Sequence, residues 1–184
     1  MPAPAVGVWP DPRIDFKEDV PTSMAGLHLI NANRSRWTEF LHVLTNLPQR
    51  LIILSPDPVP TAFAETGELG YFFFSDFSRI GMLPRSAARL RNQIPRFIRA
   101  GENTAIEGVH ILLLKDSLSE VVLFLDDVRA RLERVGSQGF LHVIPETVTD
   151  LEYAEISSSS FVEVFLDGSC SVSSNSLNER ARTG

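Results

Sequence analysis

Four polar side chains stand just after apolar runs of the chain, where α/β proteins hold phosphates and nucleotides. They are Arg34, Ser35, Asp76 and Asp116. Arginine has a planar fork that suits phosphate oxygens, and the exposed amides of a helix start attract an anion. An acid at the carboxyl end of a parallel strand lies in the crevice where open α/β sheets bind ligands. These residue types predict an anion or nucleotide site along one edge of a sheet.

Asp116 leads these candidates because the run before it is apolar throughout. Residues 109–114 read Val-His-Ile-Leu-Leu-Leu, and a strand that is buried on both faces belongs in the middle of a parallel sheet. The run therefore predicts a central strand that ends beside Asp116. A second interpretation makes Asp116 a surface acid near a helix start, where the helix dipole favours negative charge.

The segment 78–101 has the most uneven charge in the chain. It holds no Asp or Glu, and because the whole chain carries −6, the remainder sums to −12. Its six arginines are Arg79, Arg85, Arg89, Arg91, Arg96 and Arg99. They predict a surface for an anion or an acidic partner, with Arg79, Arg85 and Arg89 as the binding candidates. The alternative is pairing with acids of adjacent helices, as is common on charged faces. Those acids include Glu120, Asp126 and Asp127.

The elements that would position these side chains follow from hydrophobic periodicity. Apolar runs predict strands at 26–30, 50–55, 71–75, 109–114 and 139–145. Apolar residues at three-and-four spacing predict helices at 37–44, at 84–98 with a kink at Pro95, at 117–135 and at 149–154, with a short turn at 61–65. Ser117 or Ser119 is expected to begin the helix at 117–135, and Gly136 to end it.

Strands that alternate with helices predict a three-layer α/β sandwich with a mainly parallel sheet of five to six strands and right-handed crossovers. Residues 26–156 form this domain, and a proline-rich N-terminal arm at 1–25 precedes it. A serine linker with an added edge strand is predicted at 157–170, and a disordered tail at 171–184.

Composition narrows the class of protein. With 184 residues, of which 43% are hydrophobic, the chain can build a single core. It lacks the run of roughly 20 apolar residues that a membrane helix needs, and its start does not resemble a signal peptide, so we expect a cytoplasmic protein. Cys170 is the only cysteine, which leaves no internal disulfide or cysteine-rich zinc site. The acidic net charge argues against nucleic acid as a partner.

Several short pieces of the chain carry a family resemblance. They are a helix start at Pro84-Arg85-Ser86, its end at Phe97-Ile98-Arg99, a strand end at Lys115-Asp116, the Phe124-Leu125 helix and a strand that closes at Ile144-Pro145-Glu146. Together they resemble an archaeal family of unknown function that is similar to the RecA- and KaiC-type ATPase fold without its nucleotide site. Over residues 26–156, the resemblance implies a RecA-like sheet with a degenerate phosphate loop.

A working phosphate loop needs glycines, so that backbone amides can wrap the phosphates, followed by Lys and Ser or Thr. Residues 31–36 read Asn-Ala-Asn-Arg-Ser-Arg, with neither glycine nor lysine. We therefore predict no catalytic residue and no cofactor, while Arg34 and Ser35 at a helix start keep the capacity to hold a phosphate or nucleotide weakly.

The histidines offer a second kind of chemistry. His28, His110 and His142 fall in predicted core strands, and His42 stands apart. Isolated core histidines are usually satisfied by hydrogen bonds, so we predict no metal site. If the three strands are neighbours, a metal site or a proton relay is the alternative.

Two functional hypotheses follow. The preferred one is a non-enzymatic interaction or signalling module that uses a degenerate nucleotide-binding scaffold and a polarised surface to bind another protein or a second copy of itself. The alternative is a nucleotide sensor or enzyme in which Arg34, Asp76 and Asp116 converge in a pocket at the carboxyl edge of the sheet.

Overall fold

The computed structural model describes residues 7–8, 25–57, 69–75, 82–160, 162–165 and 171–174. Its strands are β1 (Gly7–Val8), β2 (Gly26–Asn31), β3 (Arg50–Ser55), β4 (Leu69–Ser75), β5 (Met82–Pro84), β6 (Glu102–Ile106), β7 (Gln138–Val143), β8 (Val162–Phe165) and β9 (Ser171–Ser174). Its helices are α1 (Arg34–Thr45), α2 (Ala87–Arg91), α3 (Ile94–Phe97), α4 (Val109–Leu113), α5 (Leu118–Val135) and α6 (Asp150–Ser158), with a 3₁₀ turn at Pro145–Thr147.

These strands form one sheet in the order β1-β9-β8-β2-β7-β6-β3-β4-β5. All neighbours from β8 to β5 are parallel, whereas β9 runs antiparallel to both β8 and β1. The predicted α/β fold with a mainly parallel sheet is confirmed. The described part of the sheet has nine strands rather than five to six, because the chain adds three short strands: β1 and β9 lie beyond β8, and β5 lies beside β4 at the other edge.

The helices lie on both faces of the sheet and make three layers. Of the described helices, α1 packs alone on one face, against a cluster that includes Ile30, Ile53 and Phe140. The other five helices pack on the opposite face. The direction of the connections explains this division. The step from β2 to β3 runs opposite to the steps from β5 through β6 and β7 to β8, and right-handed crossovers of opposite direction lie on opposite faces.

Helix α5 is the main support of the larger layer, and it follows the predicted pattern. Ser117 and Glu120 form a capping box at its start, and Gly136 takes a left-handed conformation at its end. Its buried side chains recur at three-and-four spacing and contact the sheet. They are Val121, Phe124, Leu125, Val128 and Leu132.

The predicted central strand at 109–114 is wrong. Residues Val109–Leu113 form helix α4, which begins at the left-handed Gly108. Val109 and Leu112 are buried while Leu114 is 79% exposed, so burial follows a helical period and not a two-faced strand. The strand at this place is β6, which lies between β7 and β3.

The predicted ends of the domain also need correction. The first two serines of the proposed linker at 157–160 end helix α6, and Ser159 and Ser160 are buried. Strand β8 is an inner strand between β2 and β9, not an edge strand. Ser171–Ser174 form β9, so the predicted disordered tail cannot begin at 171. The turn predicted at 61–65 lies outside the described residues.

Candidate functional site

The carboxyl ends of four neighbouring strands, β2, β7, β6 and β3, form the natural binding edge of this sheet. The chain leaves β2 towards α1 on one face and leaves β7 towards α6 on the other. Open α/β sheets bind ligands at such a reversal, because the diverging connections leave a crevice between them. Four side chains fill this place, and we call them the carboxyl-edge cluster. They are Trp37, Ser55, Glu107 and His142.

Glu107 is the centre of this cluster. It follows β6, and its backbone amide donates to the Leu54 carbonyl at 2.8 Å. Its Oε1 accepts from Trp37 Nε1 at 2.5 Å, and its Oε2 accepts from Ser55 Oγ at 2.6 Å. Both carboxylate oxygens are therefore held by neighbours, so Glu107 ties α1 to the ends of β3 and β6.

His142 closes the cluster at the end of β7. Its ring stacks on Trp37 with 4.5 Å between centroids and 2° between planes, and its Nε2 donates to the Ala32 carbonyl at 2.8 Å. Burial lowers the pKa of His142 to about 4, and the bond to Ala32 only partly opposes this. The buried ring is neutral near pH 7, as expected of a satisfied core histidine.

His110 is the other histidine near this place. It lies on α4 and is half-buried, and burial together with the positive charge of Arg34 lowers its pKa. Among the described residues, no group of three or more His, Cys, Asp or Glu is arranged to hold a metal ion.

The buried His142 makes stability depend on pH. The pKa of its ring is about 4 in the folded chain and 6.5 when the chain is unfolded, so between these values only the unfolded chain binds the proton. We expect the free energy of unfolding to fall by up to about 3 kcal/mol as the pH drops from 6.5 to 4. Urea unfolding at several pH values measures this, and His142→Gln should flatten the curve. Equal losses in both proteins would contradict the assignment, because a group other than His142 would then cause the pH dependence.

The outer side of the cluster is closed by an ion pair. Arg34 donates from its guanidinium to Asp57 Oδ2 at 2.6 Å, and both side chains are exposed. Tyr71 donates its hydroxyl to the Asp57 carbonyl, and burial raises the pKa of Tyr71 to about 12. Asn33 caps α1 by accepting from the Arg36 amide at 3.0 Å. Arg34, predicted to bind an anion, is therefore engaged with a carboxylate, while Ser35 is exposed.

A glycine lets the loops after β3 and β6 come together. Gly108 has φ +76°, and a Cβ added there would lie 2.7 Å from Cγ of Pro56. Only a residue without a side chain allows this contact in this conformation. The close approach holds Ser55 beside Glu107.

Asp116 has a different place from the predicted one. It follows helix α4 rather than a strand, and its carboxylate accepts from Ser86 Oγ at 3.0 Å and from the Ala87 amide at 2.7 Å. These bonds satisfy the start of α2, so Asp116 is a helix cap supplied from a distant part of the chain. Its predicted convergence with Arg34 is not seen, since each residue has its own partner.

The cap can be tested by two substitutions at Asp116. We expect Asp116→Ala to lower the free energy of unfolding by about 1 kcal/mol, because the amide of Ala87 loses its acceptor. Asp116→Asn keeps an acceptor oxygen and should retain most of the stability. Chemical denaturation measures both. Asparagine proving as harmful as alanine would show that the charge itself is required.

Arg85 and Arg89, the other predicted binding residues that the structure describes, do not join Arg34 or Asp116. Arg85 donates from Nε to the Phe74 carbonyl at 3.2 Å, and Arg89 is exposed on α2. Asp76 and Arg79 lie outside the described residues. The alternative of pairing with neighbouring acids holds for Arg91, which contacts Asp127 at 2.6 Å.

Sequence reasoning missed Glu107 and Trp37 as site residues. Glu107 follows a strand whose sequence, Glu-Asn-Thr-Ala-Ile, is too polar to be recognised by its apolar content. The spacing of Trp37 places it on the core face of a helix and gives no sign of its polar contact. The sequence does contain one signal for Glu107, which is an acid directly before a glycine and an apolar helix. This signal indicates a site only when the strand order, and so the neighbours of Glu107, is known.

The site and the sheet together define an α/β protein of the open, mainly parallel kind, and comparisons add little beyond this class. No family model matches the chain, and no curated protein matches it. A solved protein of Pyrococcus horikoshii OT3, described as the subject of a structural study, has a similar fold with a TM-score of 0.56 and 13% identity. The match covers 84% of this chain and 88% of that chain. At this identity the likeness concerns the fold alone, and one fold hosts many functions.

None of the described helices is long and apolar enough to cross a membrane.

Proposed function

We propose that this protein is a non-enzymatic interaction module built on a degenerate nucleotide-binding scaffold and working in the cytoplasm. The proposal rests on one observation, which is that the side chains of the carboxyl-edge cluster bond to other groups of the protein itself. A carboxylate that acts as a general base needs an oxygen that can reach a substrate. A carboxylate that binds a metal needs an oxygen that can reach the ion. Both oxygens of Glu107 instead bind Trp37 and Ser55.

The turn from β2 to α1 supports the same proposal. In a phosphate loop the backbone of such a turn wraps an anion. Here the Ala32 carbonyl is fixed by His142, the Asn33 side chain occupies the Arg36 amide, and Arg34 is paired with Asp57. An incoming phosphate would have to displace these contacts, so the turn is adapted to hold the protein together.

One observation favours the alternative of a nucleotide or phosphate sensor. The first turn of α1 carries no acid, and it contains Arg34 and Arg36. The positive end of the helix dipole therefore adds to two guanidinium charges, which pair with Asp57 at 2.6 Å and with Glu39 at 2.8 Å. Such a sensor would bind an anion weakly at Arg34, and the anion would displace Asp57.

Thermal unfolding with a panel of nucleotides and phosphate, with and without Mg²⁺, separates the two functions. A ligand at 100 times its Kd stabilises the folded chain by about 2.7 kcal/mol, which a rise in the midpoint would report. We expect no shift for the wild type. A shift that disappears in Arg34→Ala but persists in Arg50→Ala would establish the sensor. Arg50 is a matched control because it also forms an exposed ion pair, with Glu102 at the other end of β3.

A further inference from the structure

Helix α5 lies in the middle of the larger helix layer, with differently charged helices on its two sides. On one side Asp127 pairs with Arg91 of α2, and Arg131 donates to the Ile98 carbonyl after α3. On the other side Asp126 accepts from Ser159, which follows α6. The order across the layer is therefore α2 and α3, then α5, then α6.

The two sides of this layer have opposite charge. The segment 82–101, which contains α2 and α3, has five arginines and no acid, and we call its exposed surface the basic strip. The segment 135–160, which contains α6, has four acids and neither Lys nor Arg, and we call its exposed surface the acidic strip. Charge separated in this way leaves each strip without neutralising partners in its own segment.

Part of this charge is used within the chain, and part is not. Glu152 caps α6, Arg91 pairs with Asp127, and Arg96 lies over the Phe72 ring at 5.6 Å. Five other exposed charged residues of the two strips make no ion pair, helix cap or ring contact in the part of the chain that the structure describes. They are Arg89 and Arg99 of the basic strip, and Glu146, Asp150 and Glu155 of the acidic strip.

An exposed leucine lies between the strips. Leu123 is 48% exposed and precedes Asp126 by three residues and Asp127 by four, so it shares the outer face of α5 with both. Leu151 on α6 is 66% exposed and lies on the same face as Glu155, four residues later. The layer thus presents apolar side chains flanked by opposite charges, which is the usual composition of a protein interface with a polar rim.

We propose that two copies of this chain pair through the outer face of this layer, around a two-fold axis that runs parallel to α5. Such an axis brings the basic strip of each copy against the acidic strip of the other and places the two Leu123 side chains together. An axis perpendicular to α5 within the interface would oppose like charges. Two-fold dimers are the commonest oligomers, and their contacts occur in identical pairs. The inference rests on the proposed interaction module and names a second copy as its partner.

The mass of the full chain in solution tests the pairing. Sedimentation over a wide range of protein concentrations should show a dimer of the 20.4 kDa chain at about 0.1 M salt, where the Debye length is about 10 Å. At about 1 M salt the Debye length falls to about 3 Å, and the dimer should weaken because the attraction between the strips is screened. A wild type that is a monomer throughout overturns the proposal, and so does a ladder of larger masses, which indicates head-to-tail contacts.

Charge reversal identifies the surfaces. Arg89→Glu and Glu155→Arg should each weaken the dimer by at least about tenfold, because a two-fold axis repeats each repulsive contact. A mixture of the two variants should recover a dimer, since both contacts of the mixed pair are again attractive. Arg36→Glu on α1, on the opposite face of the sheet, changes the same charge and should leave the dimer intact. Loss of the dimer in this control, or no recovery in the mixture, overturns the assignment.

The apolar contact has its own matched pair of variants. Leu123→Asp should abolish the dimer, whereas Leu114→Asp, at a more exposed position at the carboxyl edge, should not. Unchanged thermal unfolding of the monomers shows that each variant is folded. A dimer that survives Leu123→Asp contradicts the proposed axis. A failure of pairing leaves the interaction module to be judged by the nucleotide experiment, so the two proposals fail separately.

Discussion

Trp37→Ala is expected to lower the free energy of unfolding by about 3 to 5 kcal/mol, as truncation of a large buried aromatic side chain does. The indole is 2% exposed, stacks on Phe40 and His142, and donates to Glu107. Its removal leaves a cavity between α1 and the sheet and one Glu107 oxygen without its donor, which raises the cost further. Urea unfolding followed by circular dichroism measures the loss.

Trp37→Phe separates the two contributions. Phenylalanine keeps most of the apolar contact but lacks the N–H, so the loss should be about 1 to 3 kcal/mol, the cost of a buried acceptor left unsatisfied. Glu107→Gln in the Phe variant should recover part of this loss, because an amide is less costly to leave unbonded than a charged carboxylate. A Phe variant as unstable as the Ala variant would contradict the role assigned to the indole N–H.

Gly108→Ala is expected to be the second most damaging of the proposed changes. The left-handed backbone costs a side chain about 1 to 2 kcal/mol, and the contact with the Pro56 ring adds about 1 to 3 kcal/mol of overpacking. Because the ring and both loops are held by the backbone, neither side can move away cheaply. Equilibrium unfolding measures the total.

Gly136→Ala is the matched control for this prediction. Gly136 has φ +68°, close to that of Gly108, but nothing lies within 4 Å of an added Cβ. It should show the conformational cost alone, so the difference between the two variants isolates the contact with Pro56. Equal losses would mean that this contact does not hold the loops together.

Much of the fold could be predicted from periodicity. Strands β2, β3, β4 and β7 are apolar runs, and α1 and α5 show clear three-and-four spacing with caps at their starts. In these elements the apolar residues whose spacing indicates a strand or a helix are also the residues that form the core. The local sequence pattern and the packing of the whole fold therefore favour the same structure.

The secondary structure of residues 102–113 could not be predicted from hydrophobic content. Here the strand is polar and the apolar run that follows it is a helix. Strand β6 contains Asn103 and Thr104, which are buried, with the Thr104 hydroxyl donating to the Phe97 carbonyl at 2.9 Å. The apolar run after it folds as α4 because a left-handed glycine precedes it. A short apolar run does not itself distinguish a buried strand from a buried helix.

The candidate site was less predictable than the fold because its residues are far apart in sequence. Trp37 and Glu107 are separated by 70 positions and meet only through the strand order. Asp116 stands out in the sequence for its position after an apolar run, yet its partners at the start of α2 lie 29 and 30 positions earlier. Neither pairing leaves a local signal.

The strand order also sets when the chain can fold. Strand β2 is among the first described elements, but both of its hydrogen-bonded neighbours, β7 and β8, begin more than a hundred positions later. Parallel pairing over such a separation closes a long loop and slows folding. During synthesis, β2 emerges from the ribosome well before either neighbour exists. Its apolar residues then depend on local contacts with α1, or on chaperones, until Gln138–Val143 has been made.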